Sequence, residues 1–480
     1  MISKLRAPIY VQVELTSACN NKCLYCYNFW RTNRDRHEKQ RKNLSGTELE
    51  AVAEALGKAD IFYVTITGGE PFLRRDELYR FMESLRRRNI RLMINSNATL
   101  IDEQEAEKLS AYPIEIFLAS LISWNAAQHD QIASSPGAHE RTVAGIKNLQ
   151  KAGIPVAINM VATKMNCKEV YQTGRWVSEK LGIQNFSATP ICPSLPEHHV
   201  LELDKHDTAA TIAQLCLLRK ERGMRVDILE VLPACMFDEK DSADLPELLS
   251  ARMCTAGNTT ITIGSEGDVR VCSYDNHSYG NILTDNFDAI WRQMASWRND
   301  SLLPAECLAC SILKECGGGC RVSAYVKTQN YCQLDARAKG AIRTQRSRYF
   351  SARQTLSPDL ELRAADKLLF RKERPGIFLV VANSAHFVLT NDDGLAFFRR
   401  ILSMNSFTLK SLAESSGMPM NSLRPFLTEL HLKGFVSPPE KSKKGGDNHG
   451  EKSDVRDGTK HKPDFRLPDG GAESVRHELR

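Results

Sequence analysis

Cys19, Cys23 and Cys26 form a C-x3-C-x2-C triplet directly after an apolar alternating run from Ile9 to Leu15. A cubane iron–sulfur cluster has four irons and ordinarily takes four thiolates. A loop that offers three leaves one iron open to bind and activate another molecule, which is catalytic rather than electron-transfer chemistry. Tyr25, Tyr27, Phe29 and Trp30 crowd the loop and could keep water from a reactive cluster. The competing reading is a zinc knuckle. Zinc sites close with four Cys or His ligands, and here no fourth is near, His37 being the closest.

Strand-like runs downstream end in glycines or short polar residues. Ile61 to Thr67 is β-branched and aromatic and runs into Gly68-Gly69-Glu70-Pro71, where paired glycines let backbone approach a ligand closely. Arg91 to Ile94 leads into Asn95-Ser96-Asn97-Ala98-Thr99, and Ile114 to Ser120 leads into Leu121, with Arg141 21 residues after Ser120. Asn159 lies in the run Val156 to Val161. A lone glycine pair is usually a tight turn, and a lone Ser or Arg is usually solvated. The ordered set carries more weight, because its members are expected at carboxyl ends of strands, where β/α barrels build active sites.

The triplet, with Tyr25 before its last cysteine, resembles the signature of the radical S-adenosylmethionine (radical SAM) superfamily. The resemblance implies that the open iron chelates the methionine end of the cofactor. One electron then cleaves a C–S bond, and the 5′-deoxyadenosyl radical abstracts hydrogen from substrate, the cofactor carrying the chemistry and the protein aiming it. It further implies cofactor contacts from Tyr25, Gly68, Gly69, Glu70, Asn95, Asn97, Ser120, Arg141 and Asn159. Strands alternate with amphipathic helices to about residue 225, the helices expected at Thr47 to Lys58, Arg75 to Arg88, Asp102 to Ala111, Ala138 to Lys151 and Lys168 to Leu181. Such repeats imply a parallel sheet with right-handed crossovers, and the family implies a partial (β/α)6 TIM barrel over residues 1–235. Arg31 to Asn43 is a charge-dense run, expected to be a solvated loop.

Cysteines become dense again from Cys254. Cys272 follows Gly267, and a C-x2-C-x5-C-x3-C run at Cys307, Cys310, Cys316 and Cys320 is closed by Cys332. Zinc ribbons use C-x2-C pairs, but these seven do not divide into tetrahedral sets. The spacing resembles the SPASM extension of radical SAM peptide-modifying enzymes, expected here at residues 250–345 and implying two auxiliary 4Fe–4S clusters. By that resemblance Cys307, Cys310, Cys316 and Cys332 hold an outer cluster, and Cys254, Cys272 and Cys320 an inner one. The inner set is one ligand short. Cys235 is a possible fourth, and otherwise an open iron could take a substrate thiolate. Cys167, Cys192 and Cys216 read as core residues, since free cysteine behaves as a small hydrophobe.

Residues 360–437 contain no cysteine. Strands are expected at Lys367 to Arg371, Ile377 to Ala382 and His386 to Thr390, then helices at Asp392 to Leu402, Thr408 to Ser415 and Asn421 to Lys433, stopped by Gly434. This is a winged-helix-like α+β order, and DNA binding is one reading of it. The last helix carries only Arg424 and Lys433 as strong cations, poor equipment for phosphates and base edges. The order also resembles the PqqD-like peptide-recognition module, whose leader peptide adds a strand to the small sheet. Residues 438–480 are too polar to order themselves and are expected to be a disordered tail.

The 480 residues suggest roughly three domains at about 150 each. Sixty-four basic against 58 acidic residues point to no nucleic-acid partner, and no apolar run is long enough to span a membrane. The start lacks an apolar signal core, and fourteen cysteines without one suit a reducing cytoplasm. The combined expectation is a cytoplasmic radical SAM/SPASM maturase of a ribosomally made precursor peptide, served by a reductant such as ferredoxin or flavodoxin. Net oxidative crosslinking (thioether, C–C or C–O) suits auxiliary clusters that accept an electron. One alternative is oxidation of a protein Cys or Ser to formylglycine. That chemistry pairs the second SPASM cysteine with an aspartate, whereas Ser273 follows Cys272 here. Another is an iron–sulfur DNA-binding regulator. Tyr274 and Asp275 are the candidate catalytic proton acceptors.

Overall fold

The computed structural model describes residues 5–28, 43–192, 196–237, 253–340, 356–382 and 386–439. Phe29, Trp30, nearly all of the Arg31 to Asn43 run and the tail beyond residue 439 lie outside the described residues. The chain forms two compact units that divide between Arg353 and Gln354.

The first unit is built on one nine-stranded sheet. Its first seven strands run parallel and lie side by side in chain order: β1 (Tyr10–Glu14), β2 (Tyr63–Thr67), β3 (Arg91–Ser96), β4 (Ile114–Ser120), β5 (Val156–Ala162), β6 (Asn185–Pro190) and β7 (Arg225–Asp227). Between them come α1 (Gly46–Lys58), α2 (Arg75–Arg87), α3 (Glu103–Ser110), α4 (Ala126–Ala133), α5 (Ala138–Lys151), α6 (Val170–Leu181) and α7 (Lys205–Arg222). This is the parallel α/β core of the expected partial barrel. The sheet's end strands do not pair with each other, so it stays open.

Local sequence explains the elements. Ser45 and Glu48 close a capping box on α1, the Ser45 N–H donating to Glu48 Oε2 (2.8 Å) and the Glu48 N–H to Ser45 Oγ (3.3 Å). Asp102 caps α3 through the Glu105 N–H at 2.7 Å. In β2 all five residues are buried, as expected for a parallel strand covered on both faces. No described helix is long and apolar enough to cross a membrane.

The sheet does not stop with the barrel. β8 (Thr260–Ile263) pairs parallel with β1, register Tyr10 to Thr260, and β9 (Val269–Arg270) pairs antiparallel with β8. The cysteine-rich segment beyond carries only short helices, α8 (Phe287–Gln293), α9 (Ala305–Leu308), α10 (Leu313–Cys316) and α11 (Arg321–Thr328).

The second unit pairs a two-stranded ribbon, β10 (Arg363–Ala364) with β14 (Val436–Ser437), and an antiparallel sheet of β11 (Leu369–Arg374), β12 (Ile377–Val381) and β13 (Phe387–Thr390). Helices α12 (Asp392–Ser403), α13 (Leu409–Ser416) and α14 (Met420–Leu432) follow. Val380, Val388, Phe398, Ile401, Leu412 and Leu427 form its core.

Candidate iron–sulfur and cofactor site

The first cysteine loop leaves β1 and is stitched to the end of β2. The Leu15 N–H donates to Thr67 O (2.9 Å), the Gly69 N–H to Thr16 O (2.6 Å) and the Glu70 N–H to Ala18 O (2.8 Å). A Cβ on Gly69 would stand 1.9 Å from Ala18 O. The close approach expected of the glycine pair is therefore made, among the described residues, to the backbone just before Cys19. Arg74 completes the clamp, donating to Leu15 O (3.1 Å) and Leu44 O (2.8 Å). On the other side the Lys22 and Leu24 N–H groups donate to Ala133 O and Ile132 O at the end of α4, each at 3.0 Å. Cys23 and Tyr25 pack against Ile122, Ile132, Ala133 and Ala138.

Glu70 has no exposed surface. Its carboxylate accepts from Phe72 N (3.2 Å), Ser96 Oγ (2.8 Å) and Asn97 N (3.0 Å), tying the end of β2 to the end of β3. Burial pushes its carboxyl up to about 7 against those three donors. Asn97, so placed, donates from its amide to Asn20 Oδ1 (2.9 Å) and lies 3.8 Å from Cys19 Sγ. Asn20 in turn donates to Thr99 Oγ1 (2.7 Å). Asn20 was not among the sequence candidates, although it adjoins the first cysteine.

Ser120 and Asn159 stand opposite each other in the β4–β5 register. Asn159 Oδ1 accepts from Ser187 Oγ (2.9 Å) and Thr189 Oγ1 (2.7 Å), which turns its amide nitrogen away from β6. Asn95 is half-buried near the end of β3. Arg141 differs from the expectation that every candidate ends a strand. It lies in the first turns of α5, exposed, and donates to Pro136 O (3.1 Å) and Ser135 Oγ (3.3 Å).

None of the fourteen cysteines forms a disulfide. In the second cluster, burial pushes the Cys254 thiol up to about 12, with the neighbouring Cys320 adding to it. Burial also raises Cys272, then Asp275, Cys320 and Cys254 beside it. These three are thus brought together. Burial raises Cys307 to about 11, and Cys316, Cys235 and Cys310 add to it while Arg321 opposes. The Ala234 N–H donates to Cys316 Sγ at 3.3 Å. Cys235 therefore stands with Cys307, Cys310 and Cys316. Cys332 Sγ lies 3.6 Å from Ser301 O. Gathered thiols free of disulfides are the donors that iron–sulfur clusters take, so these cysteines fit such clusters. Gly317, Gly318 and Gly319 all take positive φ, and a Cβ on Gly319 would meet Asp335 Oδ2 at 2.8 Å. That carboxylate accepts the Cys320 N–H at 2.7 Å.

The two cysteine regions meet at Tyr274, whose ring sits edge-on to Tyr27 with centroids 5.2 Å apart. Asp275 is not a solvated loop acid. It is 1% exposed, and its Oδ1 accepts from Tyr331 OH (2.7 Å) and His277 N (3.3 Å). Its Oδ2 is buried without a hydrogen bond, and burial raises its carboxyl. Arg270, at the end of β9, is buried against the Glu14 carboxylate at the end of β1, with Asp268 3.0 Å from its Nε. One further group escaped the sequence reading. Cys192, Glu230 and Cys320, all buried, hold their ligand atoms within 4.8 Å of one another. The signal was present in the position of Cys192, just past the carboxyl end of β6.

Residues 13–177 match the family model of the radical SAM superfamily, and residues 254–311 match that of SPASM, an iron–sulfur cluster-binding domain. The chain is 26% identical over 349 residues to an AdoMet-dependent heme synthase of Methanosarcina barkeri, covering 69% of this chain and 97% of that protein. It is 27% identical over 329 residues to the mycofactocin maturase MftC of Mycolicibacterium smegmatis, covering 67% and 80%. Among solved structures, Streptococcus suis SuiB bound to precursor peptide SuiA superposes with a TM-score of 0.57 at 18% identity, covering 70% of this chain and 76% of that one.

Proposed function

We propose that this chain, a radical SAM enzyme that carries an SPASM extension, oxidatively crosslinks a ribosomally made precursor peptide and recognises its leader with residues 360–437. A bound radical SAM cluster with its cofactor supplies one-electron C–S cleavage and hydrogen abstraction, and auxiliary SPASM clusters take up electrons. Cys19, Cys23 and Cys26 would hold the first cluster, and Glu70 holds Asn97 beside it. Gly68, Gly69, Asn95, Ser120, Asn159 and Arg141 would surround the cofactor, with Tyr25 packing the loop. Cys254, Cys272 and Cys320 would hold the inner auxiliary cluster. Cys307, Cys310 and Cys316 would hold the outer one with Cys332 or Cys235. Asp275 Oδ2, buried and lacking a donor, is suited to accept a substrate proton, with Tyr274 between the two cysteine regions.

The observation that carries the peptide reading is the second unit's small sheet. β12 is paired on both sides, whereas β11 and β13 each have one partner among the described residues. Such an edge takes an extended peptide as an added strand. A relative named as a mycofactocin maturase supports the same reading. The heme synthase relative makes a haem precursor the rival substrate, one that would not need a peptide-binding edge.

The test is anaerobic co-expression with each short open reading frame beside the gene, followed by mass spectrometry. A peptide lighter by two hydrogens, unchanged with a Cys19/Cys23/Cys26→Ala variant, is the expected result. Unmodified peptides throughout, with SAM still cleaved by the purified enzyme, would exclude the peptide reading.

A further inference from the structure

We propose that Cys192 is a fourth protein ligand of the inner auxiliary cluster, closing the set that Cys254, Cys272 and Cys320 leave one thiolate short. The inference rests on assigning those three cysteines to the inner cluster.

Cys192 is placed by the sheet. The Ile191 N–H donates to Ala162 O at 3.0 Å, continuing the ladder beyond β6. Cys192 therefore projects from a carboxyl strand end, as Glu70 and Ser120 do. It is 3% exposed, Glu230 4% and Cys320 7%, so the three are enclosed together. An ordinary core thiol sits among apolar side chains. This one faces a second thiol and a carboxyl group.

Two other candidates fit less well. Cys235 stands with Cys307 and Cys316, and its neighbour Ala234 donates to Cys316 Sγ at 3.3 Å. Glu230 is a hard oxygen donor, whereas cluster irons are served by soft thiolates. Its carboxylate also faces the Arg337 guanidinium at 3.4 Å. Arg337 pairs in addition with Asp335 at 2.9 Å, and Asp335 holds the Cys320 N–H at 2.7 Å. That network suits a second layer, orienting Cys320 and offsetting the negative charge of gathered thiolates. Cubane irons hold their cysteine sulfurs farther apart than 4.8 Å, so Cys192 and Cys320 part on loading. Binding exchanges the Cys192 S–H bond for an Fe–S bond without redox change, and the proton leaves to solvent. No iron then remains for a substrate thiolate, and the inner cluster becomes an electron relay.

The experiment uses full-length protein, purified anaerobically, in a Cys19/Cys23/Cys26→Ala background that removes the first cluster and its open iron. That parent should hold roughly eight irons, two cubanes per chain. Ferricyanide strips an iron that lacks a protein thiolate and leaves a 3Fe–4S centre visible by EPR. The parent should give no such signal, and adding Cys192→Ala should give about one 3Fe–4S spin per chain, whereas Glu230→Gln should give none. A full spin already present in the parent would overturn the proposal, as would a silent Cys192→Ala. Should Cys192→Ala fail to fold, Cys192→Ser keeps the volume. It must then shift the EPR spectrum of the reduced clusters, and an unchanged spectrum counts against Cys192. The double variant Cys254/Cys272→Ala, which leaves only two thiolates at the inner site, should separately lower iron from roughly eight to roughly four per chain. Undiminished iron there would reject the inner-cluster assignment itself, a failure distinct from that of Cys192.

Discussion

At the scale of single residues, two buried charges decide how the cysteine loops are held. Arg270 neutralises Glu14, and both are buried, so removing Arg270 leaves the Glu14 carboxylate buried without its guanidinium. Arg270→Met should cost roughly 3–5 kcal/mol, and adding Glu14→Gln should recover part of it. Denaturant midpoints of the three proteins check this, and equal stability of wild type and Arg270→Met would refute it. Glu70 adds a pH dependence of opposite sense to an ordinary salt bridge. Its carboxyl sits at about 7 in the folded chain against an ordinary value of 4.5, because it is buried. Between those values the folded chain keeps a proton that the unfolded chain has lost. The contribution is full below about 4.5 and is lost as pH rises through about 7, on the order of 3 kcal/mol. Glu70→Gln should flatten this slope between pH 5 and pH 8, and urea titrations that keep the wild-type slope would exclude it.

At the scale of elements, Gly69 is where β2 and the first cysteine loop touch. An added methyl would meet Ala18 O at 1.9 Å, so Gly69→Ala must displace the chain leading into Cys19. Iron analysis should show one cluster fewer per chain, about four irons, with SAM cleavage lost. Full iron content would show that the loop tolerates the displacement. Much of this layer was legible in the sequence. Ile114 to Ser120 and Ala138 to Lys151 coincide with β4 and α5, and the second unit's helices fall within two residues of expectation. Local periodicity and caps specify such segments, and thiols declare their chemistry by type. Pairings between distant strands leave no such mark, so β8 beside β1 could not be read. Nor could the partners of Glu70, which arrive from β3, or the place of Cys192, whose neighbours come from residues 230 and 320. The apolar residues of α4 form no clear helical stripe, yet it anchors the loop.

At the scale of the whole molecule, the two compact units invite separation. Removing residues 354–480 should leave SAM cleavage without peptide intact and abolish modification of a leader-bearing peptide. Undiminished crosslinking by the shortened chain would reject leader recognition by the second unit. The parallel pairing of β1 with β8 bears on how the protein is made. Bonded strands here are separated by about 250 residues, so one edge of the strand that feeds the first cysteine loop stays bare while they are synthesised. At about 5–20 residues per second, that interval is roughly 12–50 s, long enough for an apolar strand to meet its like on a neighbouring ribosome. The cell therefore has to shield this nascent edge, and slow translation or scarce chaperone would cost soluble enzyme before any iron is delivered.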